Sequence, residues 1–217
     1  MITENNDFDK VIFIGDYFDS REFISGKDQK KNFNEIIAFK NLHPDKVILL
    51  IGNHDFHYLS GIDEKYSSYQ PANAIEIGVM LEDALADGSM QMCFLYDSIL
   101  FTHAGVTKTW AKANDIDLTN VDRSINRLFE LNRHAFRFTA GRKHDPYGDE
   151  ITQTPIWVRP ASLGRDKIAG YTQVVGHTGQ EELILCEDLI FIDTLGTSGQ
   201  YLKIDGRKMQ AHSVGME

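Results

Sequence analysis

The sequence predicts an α/β fold in which short, mostly parallel strands alternate with helices. The first observation is a set of apolar runs at residues 11–14, 47–51, 99–102 and 173–175, which are too short for ordinary helices and typical of buried strands. The second is an amphipathic pattern over residues 28–42, which predicts a helix between the first two runs. A strand, a helix and a second strand in this order form the usual crossover unit of a parallel sheet.

The first two strands end in a glycine that is followed by an acid or an amide. Asp16 follows Gly15 at the end of the first run, and Asn53 follows Gly52 at the end of the second. Glycine lets the backbone turn sharply where a strand stops. Because ligands bind at the carboxyl ends of the strands in an open α/β sheet, we expect Asp16 and Asn53 to lie at a common point.

Two further strands end in histidine. His103 follows residues 99–102, and His177 comes two positions after residues 173–175. A single Asp, Asn or His at a strand end is usually part of a turn or a satisfied core residue. Four such residues at four strand ends instead favour one shared site, and oxygen with imidazole nitrogen suits a divalent transition metal. The predicted ligands are Asp16, Asn53, His103 and His177.

The remaining elements are predicted from the same patterns. A helix over residues 71–86 is followed by a hairpin of residues 90–96 and 98–102, by helices at 107–114 and 122–138, and by antiparallel strands at 183–186, 189–192 and 201–204. The loop at 56–70 contains Tyr58, Tyr66 and Tyr69, which either stack on an aromatic substrate or cover the edge of the core. We expect this loop and residues 139–154 to select the substrate.

Four motifs in the chain resemble those of the calcineurin-like metallophosphoesterase superfamily. They are GDYFD at 15–19, GNHD at 52–55, HAG at 103–105 and GHT at 176–178, in the family's order. HAG and the PIWVRP segment at 155–160 are most similar to the branch that contains serine/threonine phosphoprotein phosphatases and symmetrical diadenosine tetraphosphatases. The resemblance implies a two-sheet αββα sandwich formed by residues 1–217 as a single domain.

The resemblance also implies an activity and a role for each site residue. The chain would be a metal-dependent hydrolase of a phosphomonoester, a phosphoprotein or a nucleoside polyphosphate, acting by metal-activated water. Asp16 would bridge two metals in a complete family site, and Asn53, His103 and His177 would complete one of them. His54 would be the general acid and Asp19 the carboxylate that orients it.

Two arginines are implied as ligands of the substrate phosphate. Arg159 lies in the PIWVRP segment, and its guanidinium offers the bidentate fork that a phosphoryl group accepts. The family usually has Arg directly after the second Asp of its GDxxD motif, whereas this chain has Ser20 there and Arg21 next. Arg21 is therefore either a substitute from a shifted position or an ordinary surface residue.

The chain departs from the family at its first motif. The family's Asp-x-His, which supplies ligands for the second metal, does not precede Asp16. A β-α-β unit needs about 30 residues, so we expect the first strand and most of the first helix to be missing. Three explanations for the missing motif remain open: a truncated chain, a degenerate relative, or a partner chain that supplies the segment. We favour truncation. We accordingly expect about one metal, of the class Mn, Fe, Zn or Ni.

The net charge and the cysteine content disfavour several classes of function. The net charge of -10 disfavours a nuclease and predicts no nucleic-acid partner, which would require a basic face. Two cysteines form no disulfide framework, and no signal peptide or apolar stretch of spanning length is apparent, so we expect a cytoplasmic protein without membrane contact. A non-catalytic module that recognises phosphate is the alternative to an enzyme. The oligomeric state and the substrate are not predicted.

Overall fold

The computed structural model describes residues 8–19, 24–141 and 145–214. Its first sheet consists of three parallel strands in the order β1-β2-β3, where β1 is Val11–Phe13, β2 is Val47–Leu50 and β3 is Met90–Gln91. Helix α1 (Gly26–Leu42) connects β1 to β2, as the sequence predicts, and begins after Ser25, whose side chain accepts the backbone N–H of Asp28.

The second sheet has five strands in the order β4-β5-β6-β8-β7. They are β4 (Cys93–Tyr96), β5 (Ile99–Thr102), β6 (Thr172–Val175), β7 (Ile184–Cys186) and β8 (Leu189–Phe191). The three central strands are parallel, and the two edge strands β4 and β7 are antiparallel to their neighbours. A separate antiparallel hairpin follows, formed by β9 (Gln200–Asp205) and β10 (Lys208–Ser213).

Five further helices complete the regular structure of the described residues. They are α2 (Asn53–Phe56), α3 (Ala74–Ala86), α4 (Lys108–Ala113), α5 (Val121–Leu131) and α6 (Pro160–Asp166), with short 3-10 turns at Leu118–Asn120 and Arg133–Phe136. None of the helices in the described ranges is long and apolar enough to span a bilayer.

The two sheets pack face to face through a buried apolar layer. Leu50 of the first sheet clusters with Ile99, Phe101, Val174 and Ile190 of the second, and each of these side chains is less than one tenth exposed. Burial of aliphatic and aromatic side chains on this scale is the main favourable contribution to folding. The α/β class and the two-sheet sandwich predicted from the sequence are thus confirmed.

Three predicted elements differ from the structure. The strand predicted for 90–96 divides at Met92, so that β3 joins the first sheet and β4 the second. The helix predicted for 122–138 ends at Leu131, because Asn132 leaves the helical conformation with φ -151° and ψ 80°. Of the closing strands, β7 and β8 pair in antiparallel fashion as predicted, whereas β9, among the strands of the described residues, pairs with β10 alone.

Candidate active site

Adjacent parallel strands place the predicted ligands at one edge of the sandwich. In the first sheet, β1 and β2 are hydrogen-bonded neighbours, so Asp16 and Asn53 emerge side by side from their carboxyl ends. In the second sheet, β5 and β6 are parallel neighbours and deliver His103 and His177. The site therefore lies where the ends of the two sheets meet, which is the meeting point expected from the sequence.

Four donor atoms converge there. Oδ1 of Asn53 lies 3.0 Å from Nε2 of His103 and 2.9 Å from Nδ1 of His177. The two imidazole nitrogens are 3.2 Å apart, and Oδ2 of Asp16 lies 3.4 Å from Nε2 of His103. His103 and Asn53 are buried, whereas the Asp16 side chain remains 30% exposed. A ligand can thus approach the cluster from the side of Asp16.

The tautomer of His103 is set by a backbone carbonyl. Nδ1 of His103 lies 2.7 Å from the carbonyl oxygen of Ile14, to which it donates. A neutral imidazole that donates from Nδ1 has a bare lone pair at Nε2, and that lone pair points at Asn53 and His177. A histidine that donates its outer N–H to a carbonyl and turns its other nitrogen inward is the usual arrangement of a metal ligand.

This donor set fits a divalent cation. Oδ1 of Asn53 and the unprotonated nitrogens of His103 and His177 are all hydrogen-bond acceptors. Three acceptors this close together repel one another unless a proton or a cation lies between them. Neighbouring ligands of one ion at about 2.1 Å are separated by about 3.0 to 3.4 Å, and the measured separations run from 2.9 to 3.4 Å. One carboxylate, one amide oxygen and two imidazoles match a transition metal.

Electrostatics within the cluster favour a neutral His177 and an ionised Asp16. Burial lowers the pKa of His177, and neighbouring His103 and Arg159 lower it further, so this ring is neutral and able to donate a lone pair. Burial opposes the charged forms of Asp16 and His103, but their mutual attraction is stronger: it holds the pKa of Asp16 well below its usual range and raises that of His103. Asp16 is therefore ionised.

Backbone strain and close glycine contacts are concentrated in these loops. Asp16, Asp19 and His177 have φ values of 61°, 63° and 66°, the left-handed region that non-glycine residues seldom occupy. Gly15 and Gly52 allow the two loops of the first sheet to touch, since a Cβ on Gly52 would lie 2.1 Å from Oδ1 of Asp16. Such strain persists only where the surrounding structure enforces it.

A buried carboxylate joins the same two loops. Asp55 is fully buried and accepts backbone N–H groups of Gly52, Asp16 and Tyr17 at 2.9, 2.8 and 2.9 Å. Burial and the nearby Asp16 carboxylate raise its pKa, and the three N–H donors oppose that rise. Asp55 ends the GNHD motif, but its contacts to residues 16 and 17 are long-range, so the sequence does not predict this role.

The predicted acid and its partner are in contact. Nδ1 of His54 lies 3.3 Å from Oδ2 of Asp19, and the backbone N–H of His54 donates to Oδ1 of Asp16 at 3.0 Å. Burial disfavours the charged forms of both groups, but hydrogen bonds from His54 and from neighbouring donors lower the pKa of Asp19 to about 2. The same contact raises the pKa of His54, whose ring also faces Asp16. His54 therefore adjoins the ligand cluster without entering it.

A second group of potential ligands, Asp19, His54 and His57, lies beside the first. Nδ1 of His57 accepts the backbone N–H of Tyr66 at 3.0 Å, which places the single proton of the neutral ring on Nε2. A metal at Nε2 would then require an imidazole without any proton. The 2.6 Å separation between Nε2 and Oδ2 of Asp19 is instead a close contact between a ring N–H and a carboxylate. These residues form a hydrogen-bonded network.

The two predicted phosphate ligands differ in what the structure shows. Arg159 lies against the loop that contains His177: its Nη1 donates to Oγ1 of Thr178 at 3.1 Å, and its Nε donates to the carbonyl of Tyr147 at 2.7 Å. Arg159 is thus held at the edge of the ligand cluster. Arg21, like Ser20, lies outside the described residues.

The tyrosines of the 56–70 loop cover the core. Tyr58 is 7% exposed, and its ring stacks on Tyr69 with centroids 5.0 Å apart. Tyr66 stacks on His57 and meets Trp157 edge-on. Of the two alternatives for these rings, the structure supports the cover over the core. The roles of His57 and Gln70 around Asp19 were not predicted, although His57 follows His54 by three positions on one helical turn.

Comparisons with known proteins agree with the geometry. A family model described as calcineurin-like phosphoesterase matches residues 1–181. Among curated proteins, none matches the chain significantly. Among solved structures, a protein serine/threonine phosphatase from Saccharomyces cerevisiae, described as similar to human phosphatase PP5, aligns with a TM-score of 0.52 and 14% identity, over 96% of this chain and 71% of the yeast chain. At that identity the likeness concerns the fold. The resemblance inferred from the motifs is confirmed by the family model.

Proposed function

Because the chain belongs to the calcineurin-like phosphoesterase family, we propose that it hydrolyses a phosphate ester with the residues at this edge of the sandwich. The observation that supports the proposal most is the convergence of Asp16, Asn53, His103 and His177, whose donor atoms lie 2.9 to 3.4 Å from their neighbours. The substrate would be a phosphomonoester, a phosphoprotein or a nucleoside polyphosphate.

The four converging residues would hold the metal. Mn, Fe, Zn and Ni all accept a ligand set of one carboxylate, one amide oxygen and two imidazoles. When bound, such an ion supplies Lewis acidity toward a phosphoryl oxygen and a source of hydroxide at neutral pH. We propose about one firmly held ion, since the second potential group, around Asp19 and His57, is arranged for hydrogen bonding.

His54 would donate a proton to the departing oxygen. Its Nδ1 faces Oδ2 of Asp19, so Nε2 is the nitrogen left to deliver a proton to the substrate. The side chain of His54 is 14% exposed, which leaves it reachable from solvent. Asp19 fixes the ring orientation and stabilises the imidazolium before transfer.

Arg159 would bind the phosphoryl group next to the metal ligands. Its contacts with Tyr147 and Thr178 hold the guanidinium beside His177, so that its planar set of donors faces an anion bound at the cluster. Arg21 would be a second phosphate ligand. The net charge of -10 supports a substrate other than a nucleic acid.

The distribution of the motifs supports one domain over residues 1–217, since the ligands come from strands in both sheets. Cys93 is buried and Cys186 exposed, and both are free thiols, which supports a reducing compartment such as the cytoplasm.

Metal content and phosphate release, measured together, test the proposal. Asn53→Ala should lower both the metal content of the dialysed protein and turnover. His54→Ala should leave metal content unchanged and lower turnover of an alkyl phosphate by about 10²–10⁴-fold, with a smaller loss on p-nitrophenyl phosphate, whose leaving group needs no proton. Asn34→Ala on the exposed face of α1 is the matched control and should behave as wild type.

Two outcomes would contradict the proposal. Loss of metal from His54→Ala would make His54 a ligand. A metal-loaded protein that binds a phosphopeptide or inorganic phosphate, yet releases no phosphate from any ester tested, would support the non-catalytic module.

A further inference from the structure

The carboxylate of Asp19 is surrounded by hydrogen-bond donors. Its Oδ1 accepts from the hydroxyl of Tyr58 at 2.5 Å and from Nε2 of Gln70 at 3.1 Å. Its Oδ2 lies 2.6 Å from Nε2 of His57 and 3.3 Å from Nδ1 of His54. Two imidazoles therefore share Oδ2, and the buried one is the closer of the two. Asp19 is thus held at close range by two buried side chains, Tyr58 and His57.

His57 is fixed in one orientation and one tautomer. The backbone N–H of Tyr66 donates to its Nδ1 at 3.0 Å, so the ring proton lies on Nε2, the atom that is 2.6 Å from Oδ2 of Asp19. The ring stacks on Tyr66 with centroids 4.9 Å apart and planes at 20°. The ring of Tyr58 is nearly perpendicular to it, with centroids 4.4 Å apart. Because the Tyr66 N–H and the neighbouring rings hold the imidazole of His57 in place, its Nε2–H can fix the position of the Asp19 carboxylate.

From this geometry we infer that His57 is a positioning residue: its Nε2–H holds the Asp19 carboxylate so that a lone pair of Oδ2 remains directed at His54. The inference rests on the proposed role of His54 as the proton donor. Without the donor at position 57, Tyr58 and Gln70 still hold the Asp19 carboxylate through Oδ1, but Oδ2 loses its closest neighbour and can tilt away from His54. His57 acts through Asp19 and does not contact the substrate.

Two substitutions separate the hydrogen bond to Asp19 from the packing of the ring. His57→Gln places an amide N–H near the position of Nε2 and retains a donor to Asp19. His57→Asn places its amide near the position of Nδ1, so it retains an acceptor for the Tyr66 N–H but has no donor that reaches Asp19. Both variants remove the stacked ring, and His57→Asn also keeps the acceptor for the Tyr66 N–H, so a larger loss in His57→Asn than in His57→Gln reports the Asp19 contact.

We expect kcat to differ between the two variants and between substrates with poor and good leaving groups. His57→Asn should lower kcat for an alkyl phosphate by about tenfold or more, a fraction of the loss expected for a missing general acid, with a smaller loss on p-nitrophenyl phosphate. His57→Gln should recover most of that loss, and both variants should keep the wild-type metal content. Equal losses for both variants on both substrates would show a packing role only and overturn the inference.

A spectroscopic measurement decides the inference even if no ester proves to be a substrate. Long-range ¹⁵N–¹H NMR of the zinc-loaded protein, with zinc as a diamagnetic probe, distinguishes the two tautomers of the neutral His54 ring. The wild type should show Nδ1–H, since Nδ1 faces a carboxylate. His57→Asn should shift His54 toward Nε2–H, and His57→Gln should not. An unchanged His54 tautomer in His57→Asn would overturn the inference independently of activity.

Discussion

The carboxylate of Asp55 accepts the backbone N–H of Asp16 at 2.8 Å, so a fully buried residue outside the predicted ligand set fixes the loop that carries Asp16. The same carboxylate accepts the N–H groups of Tyr17 and Gly52. Asp16 and Asn53 come from different strands, and Asp55 is the group that joins the ends of those strands. Its contacts lead to the first prediction.

Asp55→Asn should destabilise the protein and weaken metal binding. An amide has one acceptor oxygen where the carboxylate has two, and its NH₂ group would face backbone donors. Each buried N–H left without a partner costs about 1–3 kcal/mol, so the free energy of unfolding should fall by about that amount or more. Urea denaturation and metal titration measure the two effects. Asp45→Asn, the same change at an exposed aspartate, is the control and should alter neither quantity.

Gly52→Ala should displace the Asp16 loop. The added Cβ would lie 2.1 Å from Oδ1 and 2.5 Å from the backbone nitrogen of Asp16, and a backbone neighbour cannot move aside as a flexible side chain can. Overpacking of this kind costs about 1–3 kcal/mol, and metal affinity should fall with it. Gly164→Ala in α6 adds the same methyl group where no atom lies within 4 Å, so it should leave metal affinity unchanged. Wild-type metal affinity in Gly52→Ala would refute the close contact of the loops.

Strand ends were predictable because the signal is local. An apolar run followed by glycine and a polar residue identifies the position of Asp16 or Asn53 without knowledge of any distant contact. The division at Met92 was not predictable, because it depends on a side chain of α5. Oδ1 of Asn126 accepts the N–H groups of Met92 and Cys93, and its Nδ2 donates to the carbonyl of Cys93. These bonds satisfy the backbone where the chain passes from one sheet to the other.

The donors around Asp19 could not be predicted from the sequence either, because they also depend on long-range contacts. His57, Tyr58 and Gln70 lie in a segment whose polarity is typical of a loop, and their common acceptor is far away in the chain. Just after the end of α5, Arg133 likewise makes a long-range contact that the sequence does not reveal, since it donates to both carboxylate oxygens of Glu82 at 2.5 and 2.8 Å. A single sequence shows the residue types of a network, and the fold decides which of them meet.

Arg159→Lys should weaken substrate binding without affecting the metal. Lysine keeps the positive charge but lacks the planar fork, and it cannot bond Tyr147 and Thr178 while also reaching a phosphoryl oxygen. A hydrogen bond to a charged group is worth about 1.5–3 kcal/mol, which corresponds to a loss of about 10- to 100-fold in kcat/KM. Steady-state kinetics and elemental analysis measure the two quantities. Arg127→Lys, at an exposed arginine paired with Glu130, is the control. Unchanged kinetics in Arg159→Lys would exclude Arg159 as a phosphate ligand.

Divalent metal should stabilise the folded protein, and Asp16 should be required for that effect. An ion that binds only the native state adds about 2.7 kcal/mol at a concentration 100 times its Kd, because the unfolded chain does not bring the four ligands together. For a chain of this length that corresponds to a rise in Tm of about 5–11 °C. Mn²⁺ or Zn²⁺ added to chelator-treated protein should raise Tm in a thermal unfolding scan, and EDTA should reverse the rise. Asp16→Asn removes the ionised ligand and should abolish most of the shift, whereas Asp45→Asn should retain it. A full shift in Asp16→Asn would mean that the stabilising ion binds elsewhere, and the assignment of the ligand cluster would then be wrong.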